Sequence, residues 1–576
     1  MDQDFHYYGT YYAAKKAGFN REEASLIAKT ANFIDFFNET TYAAYWKLVS
    51  DTKKVEKYNI VANLDYPRYT FQGGIFSTLL DPEDGLWCSY HFVPGNYTYP
   101  YNTPSCEEVH GSEVASFLSK FQLRDVTQGI NEIKKYYPSQ LKDFNFGKLL
   151  TRPQSGLSRQ IIMDAISCAT DDSKLEAILS YAIGGQYILK NNREDNLRRF
   201  KLILLGVRAH VIADTWAHQD FCGINNVMNT YWDVNYNPNS SWIHPSEWGF
   251  GRQSIDYNDR TTTDWRNKVL SSSEKFRNPN FEAVPNSTTY LGHGWMGHLP
   301  DFSFIQYRYK PCWADPSNSA IERNNAEEYK QAWLELVSLF TQARNCGQLK
   351  LDEQFQNDFK KAIAAITNPC NLADNSNTGR RASASAWQNI FGDLPLTNID
   401  VNSEPDPHAV LDGMLEMTTS PTRYGTDYVN ITSDLYLFQI AADYHFHFVK
   451  KYLQCHDIYQ YQGSWSQQTS ALSQDITNII NFYVPNSNNK VLFGTKYRIK
   501  SVGNGTVLDD WGGKTGEDSA ALQPDTSATS LNRTWILIPN SKGFRIKSVG
   551  HGTVLDDWGG KTGENSAALQ PDNSPD

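Results

Sequence analysis

Three side chains of types that bind metal ions recur four residues apart in one predicted helix: His210, Asp214 and His218. Residues at i, i+4 and i+8 of a helix lie within about 80° of one another and climb about 12 Å along its axis. One ion cannot span that length, because its ligands sit about 2.0–2.2 Å away. Two ions about 3.5–4 Å apart can use ligands that are distributed along such a helix. The spacing predicts a multinuclear metal hydrolase; the alternative is a polar stripe whose histidines only form hydrogen bonds.

Other histidines and carboxylates along the chain are candidate ligands of the same centre. Asp35 lies in the apolar run A-N-F-I-D-F-F, where a carboxylate needs a metal or a cation as partner. His293 lies among glycines, which let the backbone approach closely. Asp220 is a candidate hydrogen-bond partner for a ligand imidazole. The full set of candidate metal ligands is Asp4, His6, Asp35, His91, His210, Asp214, His218, His293, His298 and Asp301.

Such a centre can hydrolyse a phosphate ester without a Ser or Cys nucleophile. Paired ions lower the pKa of a water towards about 7 and clamp the phosphate oxygens. Histidine ligands favour zinc over calcium. We therefore expect two to three zinc ions, with Asp214, His218 and Asp301 as the residues nearest to catalysis.

The elements that position these residues are predicted to be helices. Apolar residues recur near helical spacing through a predicted domain at 1–485. Two stretches rich in Asn, Ser and Pro, 225–315 and 371–407, are predicted loops. The clearest predicted helices are Arg21–Phe37, Leu175–Lys190, Asn196–Gln219, Ala326–Asn345 and Asp434–Gln454.

Composition limits the classes of function. The chain has 576 residues, 40% of them hydrophobic, enough for two to four domains. Its net charge is −11 and no basic stripe stands out, which argues against a dedicated duplex nucleic-acid binder. None of the eight cysteines forms a C-x2-C pair, so a structural zinc knuckle is disfavoured.

The first residues, M-D-Q-D-F-H, lack the basic and apolar regions of a signal peptide. No apolar run reaches the roughly 18 residues of a membrane span. The interpretations are a signal that has been removed, export by another route, or retention in the cytoplasm.

The C-terminal region, 488–576, changes to short β-like runs between glycine-rich turns. The stretch that begins Y-R-I-K-S-V-G at Tyr497 recurs 47 residues later, at Phe544, with few substitutions. A period of this length with strands signals a repeat architecture. We expect a small all-β module of two repeats, the second one incomplete.

These repeats resemble ricin-type β-trefoil lectin repeats. The resemblance rests on the L-D motif of each unit, the Gly-Gly after it, the A-L-Q strand, and Trp535 at the place of the family's Q-x-W tryptophan. It implies binding of cell-surface glycans, and a second copy of the chain is a candidate to complete the three-lobed trefoil. The alternative is a structural appendage without a ligand. The implied carbohydrate-binding residues are Asp509, Trp511, Asn532, Asp556 and Trp558.

The helical region resembles zinc-dependent phospholipase C and the single-strand-specific zinc nucleases. The motifs that carry this likeness, over residues of about 1–450, are D-F-H-Y-Y-G-T, H-F-V-P-G, H-V-I-A-D-T-W-A-H-Q-D-F and G-H-x-x-x-G-H-L-P-D. Their wording is closer still to an uncharacterised bacterial family related to that superfamily. The resemblance implies an all-helical fold with three zinc ions.

Carried over residue by residue, the resemblance implies that the first zinc binds Asp35, His91, His210 and Asp214. The second zinc binds His218, Asp301 and one of His293 and His298. The third binds His6 and shares Asp214. In the secreted relatives the amine of an N-terminal Trp binds the third ion. This chain begins M-D-Q-D, so either Asp4 takes that place or the third ion is absent.

Together these patterns favour an enzyme. The expected function is a metal-dependent phosphoesterase of the phospholipase C type, acting on phospholipid or another phosphodiester. A helical domain joined to a lectin-like module is typical of an exported bacterial toxin or effector. The alternatives are a cell-binding toxin, for example an insecticidal one, whose metal site is structural, and a zinc nuclease.

Overall fold

The fold is that of a computed structural model. It describes residues 1–37, 70–71, 85–100, 103–134, 144–182, 185–224, 227–229, 231–235, 292–293, 300–303, 306–311, 313–314, 321–367, 376–392, 433–458, 498–500, 506–511, 515, 520–524, 530–540, 543–556 and 568–570, and the backbone of short strands at 45–47, 60–61, 63–64, 414–415 and 426–430.

The part of the chain up to residue 458 is mainly helical. In chain order it contains a π-helix (Asp4–Gly9) that runs into α1 (Thr10–Lys16), then α2 (Arg21–Phe33), α3 (Leu86–Tyr90), α4 (Cys106–His110), α5 (Ser112–Phe117), α6 (Thr127–Lys134), α7 (Gly156–Thr170), α8 (Asp172–Tyr181), α9 (Gly185–Lys190), α10 (Arg193–Ala217), α11 (Asn325–Ala343), α12 (Glu353–Ile366), α13 (Ser376–Phe391) and α14 (Asp434–Cys455). Within the described residues, no helix is long and apolar enough to cross a membrane.

Short strands accompany these helices. They are β1 (Tyr45–Lys47), β2 (Ile60–Val61), β3 (Asn63–Leu64), β4 (Tyr231–Asn235), β5 (Gln306–Pro311), β6 (Ile321–Asn324), β7 (Met414–Leu415) and β8 (Thr426–Asn430). One sheet has the order β2-β8-β1-β3 with β7 beside β8, and a second has the order β4-β5-β6.

Helix α10 forms the centre of the helical part. Its residues 202–217 are all buried, as expected for a helix that is apolar on every side. It contacts α2, α7, α11 and α14. Polar side chains on such a helix must find partners inside the protein, because water cannot reach them.

A glycine lets α2 lie close against α10. A Cβ atom on Gly206 would come within 2.6 Å of the Ile27 carbonyl oxygen and of Thr30 Cβ. A larger residue would push the helices apart. Helix α2 itself begins at a capping box, in which Asn20 and Glu23 bond each other's backbone N–H groups.

The predicted helix Arg21–Phe37 ends earlier, at Phe33. Two carbonyls that would have continued it, those of Ile34 and Phe37, accept hydrogen bonds from the hydroxyl and the backbone N–H of Thr70. Asp35 therefore lies in a turn after α2, and not within a helix as the sequence predicted.

Three other predictions of secondary structure differ from the structure. In place of the helix expected at 175–190 the structure has α8, which ends at Tyr181, and α9, which begins at Gly185. The stretch 225–315, predicted as loop, contains β4 and β5, and the stretch 371–407 contains α13. Helix α13 escaped notice because it is rich in Ser, Asn and Arg and has little apolar periodicity, although its Trp387 is fully buried.

The described C-terminal residues form strands. They are β9 (Val507–Asp509), β10 (Ala521–Gln523), β11 (Trp535–Asn540), β12 (Gly543–Ser548), β13 (Val554–Asp556) and β14 (Ala568–Gln570). The two repeats use the same register, since Asp509 pairs with Ala521 and Asp556 pairs with Ala568. The expected fold class, a helical domain with a small β module, is confirmed.

Candidate metal centre

Three histidines around α10 have their ring orientation fixed by the backbone. Nδ1 of His210 donates to the Ala31 carbonyl (2.8 Å), Nε2 of His91 to the Thr70 carbonyl (2.9 Å), and Nδ1 of His218 to the carbonyl of His91 (2.7 Å). A carbonyl only accepts, so the N–H of each ring is at that nitrogen. The opposite nitrogen of each ring is left with a lone pair, the form that binds a metal ion.

The free nitrogens of two of these rings meet carboxylates in a first group. His210 Nε2 lies 3.2 Å from Asp214 Oδ2, and His91 Nδ1 lies 3.6 Å from Asp35 Oδ1. His6 Nε2 lies 3.1 Å from Asp214 Oδ1. Two triads with His210 in common, one with His6 and Asp214 and one with Asp35 and His91, each hold their donor atoms within 4.8 Å.

A second group lies at the end of α10. Nε2 of His218 is 3.1 Å and Nε2 of His293 is 3.2 Å from Oδ1 of Asp301. The donor atoms of these three residues also lie within 4.8 Å of one another.

The amino group of Met1 lies between the two groups. It is 2.5 Å from Asp214 Oδ1, 3.3 Å from His218 Nε2 and 3.5 Å from Asp301 Oδ1. Burial lowers the pKa of this amine, but the surrounding carboxylates outweigh that effect and raise it to about 11. A cation is therefore strongly favoured at the point where the two groups meet.

Burial favours the neutral form of three of these imidazoles, those of His6, His210 and His218. It lowers the pKa of His210 and of His218 to about 4, even though Asp214 acts in the opposite direction. It lowers the pKa of His6 well below its usual value. Burial and the charge of Asp214 raise the pKa of Asp35, whose side chain keeps 27% of its surface exposed and marks the side open to solvent.

The residues present fit a metal centre. Three carboxylates, Asp35, Asp214 and Asp301, converge in a largely buried space in which the described residues place one ammonium group, that of Met1. Nδ1 of His6 has no hydrogen-bond partner among the described residues, and its Nε2 lies 3.1 Å from Asp214 Oδ1. Buried charges and polar atoms of this kind require compensation. The mixture of imidazole and carboxylate ligands is the one that zinc takes.

Of the ten candidate ligands, the structure brings eight together: His6, Asp35, His91, His210, Asp214, His218, His293 and Asp301. It places Asp4 elsewhere, where the carboxylate accepts hydrogen bonds from the hydroxyls of Ser303 and Ser383. His298 lies outside the described residues.

Asp220 does not contact an imidazole in the described structure, contrary to the sequence prediction. It is buried beside Arg152, with 2.6 Å between Oδ1 and Nη2, and accepts a hydrogen bond from the Tyr309 hydroxyl. It follows α10 by three residues with a positive φ of 74°. That backbone conformation turns its side chain away from the ligand rings.

Sequence reasoning missed the aromatic side chains that pack on the ligands. The ring of Phe92 stacks on His218 with centroids 4.6 Å apart, and Trp87 lies 5.0 Å from the ring of His91. The motif W-C-S-Y-H-F was the available signal, since it places aromatic residues on both sides of a ligand. These rings restrict how far the imidazoles can turn.

Asp509 of the first C-terminal repeat is held within its own repeat. Its Oδ1 accepts the backbone N–H of Trp511 (2.9 Å), and its Oδ2 accepts Nε of Arg533 (2.7 Å). Trp511 is 43% exposed and has a φ of 45°, which directs a large apolar ring to solvent. Asn532 is partly buried nearby, and the side chains of Asp556 and Trp558 lie outside the described residues.

The neighbouring Asp510 joins the two repeats. It is fully buried and accepts a hydrogen bond from the Ser548 hydroxyl, and its Oδ2 lies 2.9 Å from Nδ1 of His551. The sequence analysis considered only the first Asp of each L-D-D motif. The second Asp, present in both repeats, was the signal for this contact.

Residues 1–453 match the model of a family of unknown function, DUF6765. The chain belongs to that family. The match covers the whole metal centre described above. It names no activity, so the likeness to zinc phospholipase C stays a prediction.

The C-terminal residues 481–571 match the ricin-type β-trefoil lectin domain-like model. This part of the chain is a lectin-like, carbohydrate-binding module, as the repeats predicted. The completion of the trefoil by a second copy stays a prediction. No curated protein and no solved structure matches the chain.

Replacing Trp511 by Ala in the full chain is expected to weaken glycan binding by about threefold to tenfold, because the ring is an exposed apolar face for a sugar. Binding to a glycan array measures this. The matched control is Phe117→Ala, since Phe117 is 50% exposed and lies in the helical part. Equal binding by both variants and the unchanged protein would remove Trp511 from the carbohydrate site.

Proposed function

We propose that the helical part is a zinc-dependent phosphoesterase that cleaves a phosphodiester, with phospholipid as the first candidate substrate. The observation that carries the proposal is the set of three imidazoles, each with its outer N–H held by a backbone carbonyl and its inner nitrogen aimed at carboxylates. This arrangement is the one that metal-binding histidines take in proteins.

The proposal assigns the two ligand groups to two or three zinc ions. Bound zinc would supply an activated water and positive charge for the phosphate oxygens. The protein residues then have defined tasks. Asp214 and His210 belong to one group and His218 and Asp301 to the other, so the connection through α10 fixes the distance between the groups.

The partly exposed Asp35 gives the direction from which substrate enters. It belongs to the triad with His91 and His210, and the other two members are almost fully buried. Trp87 and Phe71, both partly exposed, pack beside His91 on this side. An apolar wall beside a phosphate site supports a substrate with a lipid portion.

The lectin-like module completes the proposal. We assign it the attachment of the enzyme to glycans of a target cell, so that a phosphoesterase acts at a surface. In an exported toxin or effector, the lectin-like module would bind the target cell and the helical domain would act at its surface. Release of the product from cells that carry the glycan, compared with cells stripped of it, measures the contribution of the module.

Hydrolysis of phosphatidylcholine is expected to rise between about pH 6 and 8 and to stop with a chelator, because the reacting water must lose a proton. Protonation of His210 or His218 does not account for such a rise, since burial lowers the pKa of each to about 4. Replacing His218 by Ala is expected to keep part of the zinc and lose turnover.

The control for this experiment is single-stranded DNA as a second substrate. Cleavage of DNA alone would make the protein a nuclease and overturn the lipid assignment. Near-normal turnover by His218→Ala, with zinc retained, would place His218 outside the reacting site. Absence of turnover on either substrate in a zinc-loaded protein would favour a structural metal centre.

A further inference from the structure

A pocket separate from the metal centre opens beside the end of α14. Its walls are the segments 96–100, 123–127 and 147–148, together with His456 and Ile458, and its volume is about 650 Å³. That volume is in the range of small-molecule sites. None of the metal-centre residues lines it.

The walls of this pocket are held in place by a buried amide. Nδ2 of Asn96 donates to the carbonyls of Arg124 (3.1 Å) and Gly147 (3.0 Å), and its Oδ1 accepts the backbone N–H of Arg124 (2.8 Å). A Cβ on Gly147 would come within 2.4 Å of Val126. The two loops that face each other across the pocket are therefore joined to one fixed side chain.

An excess of positive charge lies behind one wall. Three arginines, at 124, 152 and 323, face the single carboxylate of Asp220 at distances of 3.7, 2.6 and 3.8 Å. The two inner guanidinium groups are buried, and Arg323 also pairs with Glu328. Arg124 is the outer one, lines the pocket and keeps 40% of its side chain exposed.

The other charged groups of the pocket leave this excess in place. Lys148 lines it, with Nζ 3.4 Å from the Asp457 carbonyl. Asp125 also lines it, but its carboxylate accepts the N–H of Thr127 (2.9 Å) at the start of α6. Two cations thus face one carboxylate, and the pocket favours an anion.

Apolar side chains also line the pocket. Tyr99 and Leu123 keep 40% and 47% of their surfaces exposed, which is unusual for large apolar side chains in the described residues. The guanidinium of Arg159 lies 3.8 Å from the centre of the Tyr99 ring, and the Tyr99 hydroxyl donates to the Gln154 carbonyl. The ring also lies 5.1 Å from the ring of Phe121. It is therefore fixed in place, and its exposed part is available to a planar or aliphatic group.

We propose that this pocket binds a small amphiphilic anion, with an aromatic or short aliphatic body and a phosphate, sulfonate or carboxylate group. The anionic group contacts Arg124 and Lys148, and the body lies on Tyr99 and Leu123. The site is independent of the proposed hydrolysis.

Naphthalene-1-sulfonate is the probe, and 1-naphthalenemethanol is its neutral counterpart. Titration of the full zinc-loaded chain by calorimetry, after gel filtration has removed unbound metal ions, is expected to show saturable binding of the sulfonate. Arg124→Gln is expected to weaken it about tenfold, since a charge-assisted contact is lost. The neutral probe should bind equally to both proteins. Tyr99→Ala is expected to weaken both probes.

Arg198→Gln is the matched control, because Arg198 is 48% exposed and lies on α10 away from the pocket. Circular dichroism checks that each variant is folded, and Arg124→Lys is expected to keep most of the affinity. No saturable binding by the unchanged protein, or equal loss in Arg198→Gln, overturns the proposal. An affinity for the sulfonate that is unchanged in both Arg124→Gln and Tyr99→Ala also overturns the proposal.

Discussion

Replacing Asp214 by Asn is expected to reduce bound zinc from two or three ions per chain to one or none, and to reduce hydrolysis on the order of 100-fold or more. Asn keeps the size of the side chain but removes the charge. Asp214 Oδ1 and Oδ2 lie 3.1–3.2 Å from the ring nitrogens of His6 and His210, and Oδ1 lies 2.5 Å from the Met1 amine. No other carboxylate of the centre contacts so many of its groups within the described residues.

Elemental analysis after gel filtration measures the zinc content. The matched control is Asp195→Asn, on the same helix, whose side chain is 52% exposed and is expected to change neither quantity. A protein with Asn at 214 that keeps two zinc ions and full turnover would contradict the ligand assignment. Less than half an equivalent of zinc in the unchanged protein would contradict the proposed enzyme altogether.

Replacing Arg208 by Met is expected to lower the free energy of unfolding of the helical part by about 1.5–3 kcal/mol, as for the loss of buried hydrogen bonds to a charged group. Arg208 is fully buried. Its Nη2 donates to Asp164 (2.6 Å) and its Nη1 lies 2.6 Å from Nδ1 of His445. Met occupies a similar volume, so the loss comes from the charge and hydrogen bonds of Arg208, while Lys174 Nζ remains 2.7 Å from Asp164 Oδ1.

The change should also reach the metal centre. Nε2 of His445 donates to the carbonyl of Ser89. Ser89 lies in α3, which ends at Tyr90, directly before the candidate ligand His91. Urea denaturation followed by tryptophan fluorescence measures stability, and Arg198→Met on the same helix is the control, expected to change it by less than about 1 kcal/mol. A loss no larger than that of the control would show that the buried pair is dispensable.

The candidate ligands could be found from sequence because side-chain type and spacing carry that information. The period of a helix places His210 and Asp214 on one face. The same argument places Asp4 and His6 on different faces. Residues two apart point to different sides of a helix, and the π-helix at Asp4–Gly9 turns Asp4 towards Ser383. The sequence analysis counted both residues among the candidate ligands of one centre.

What fixes the ligand rings could not be found in this way. The carbonyls of Ala31 and Thr70 belong to the backbone, which is the same at every residue, so no residue type marks them as acceptors. The approach that brings Ala31 to His210 depends on the space at Gly206, a contact between two helices. The amine of Met1 is likewise invisible to a search restricted to side chains.

The ligands come from five separate stretches of the chain, between His6 and Asp301. Long segments of chain separate these stretches. Bringing the ends of such segments together costs conformational entropy, and this cost rises slowly with the length of the segment. Ions bound by these stretches would act as reversible cross-links and would shift the folding equilibrium by mass action. For a host cell, zinc supply during synthesis would then set how much of the chain reaches its folded form.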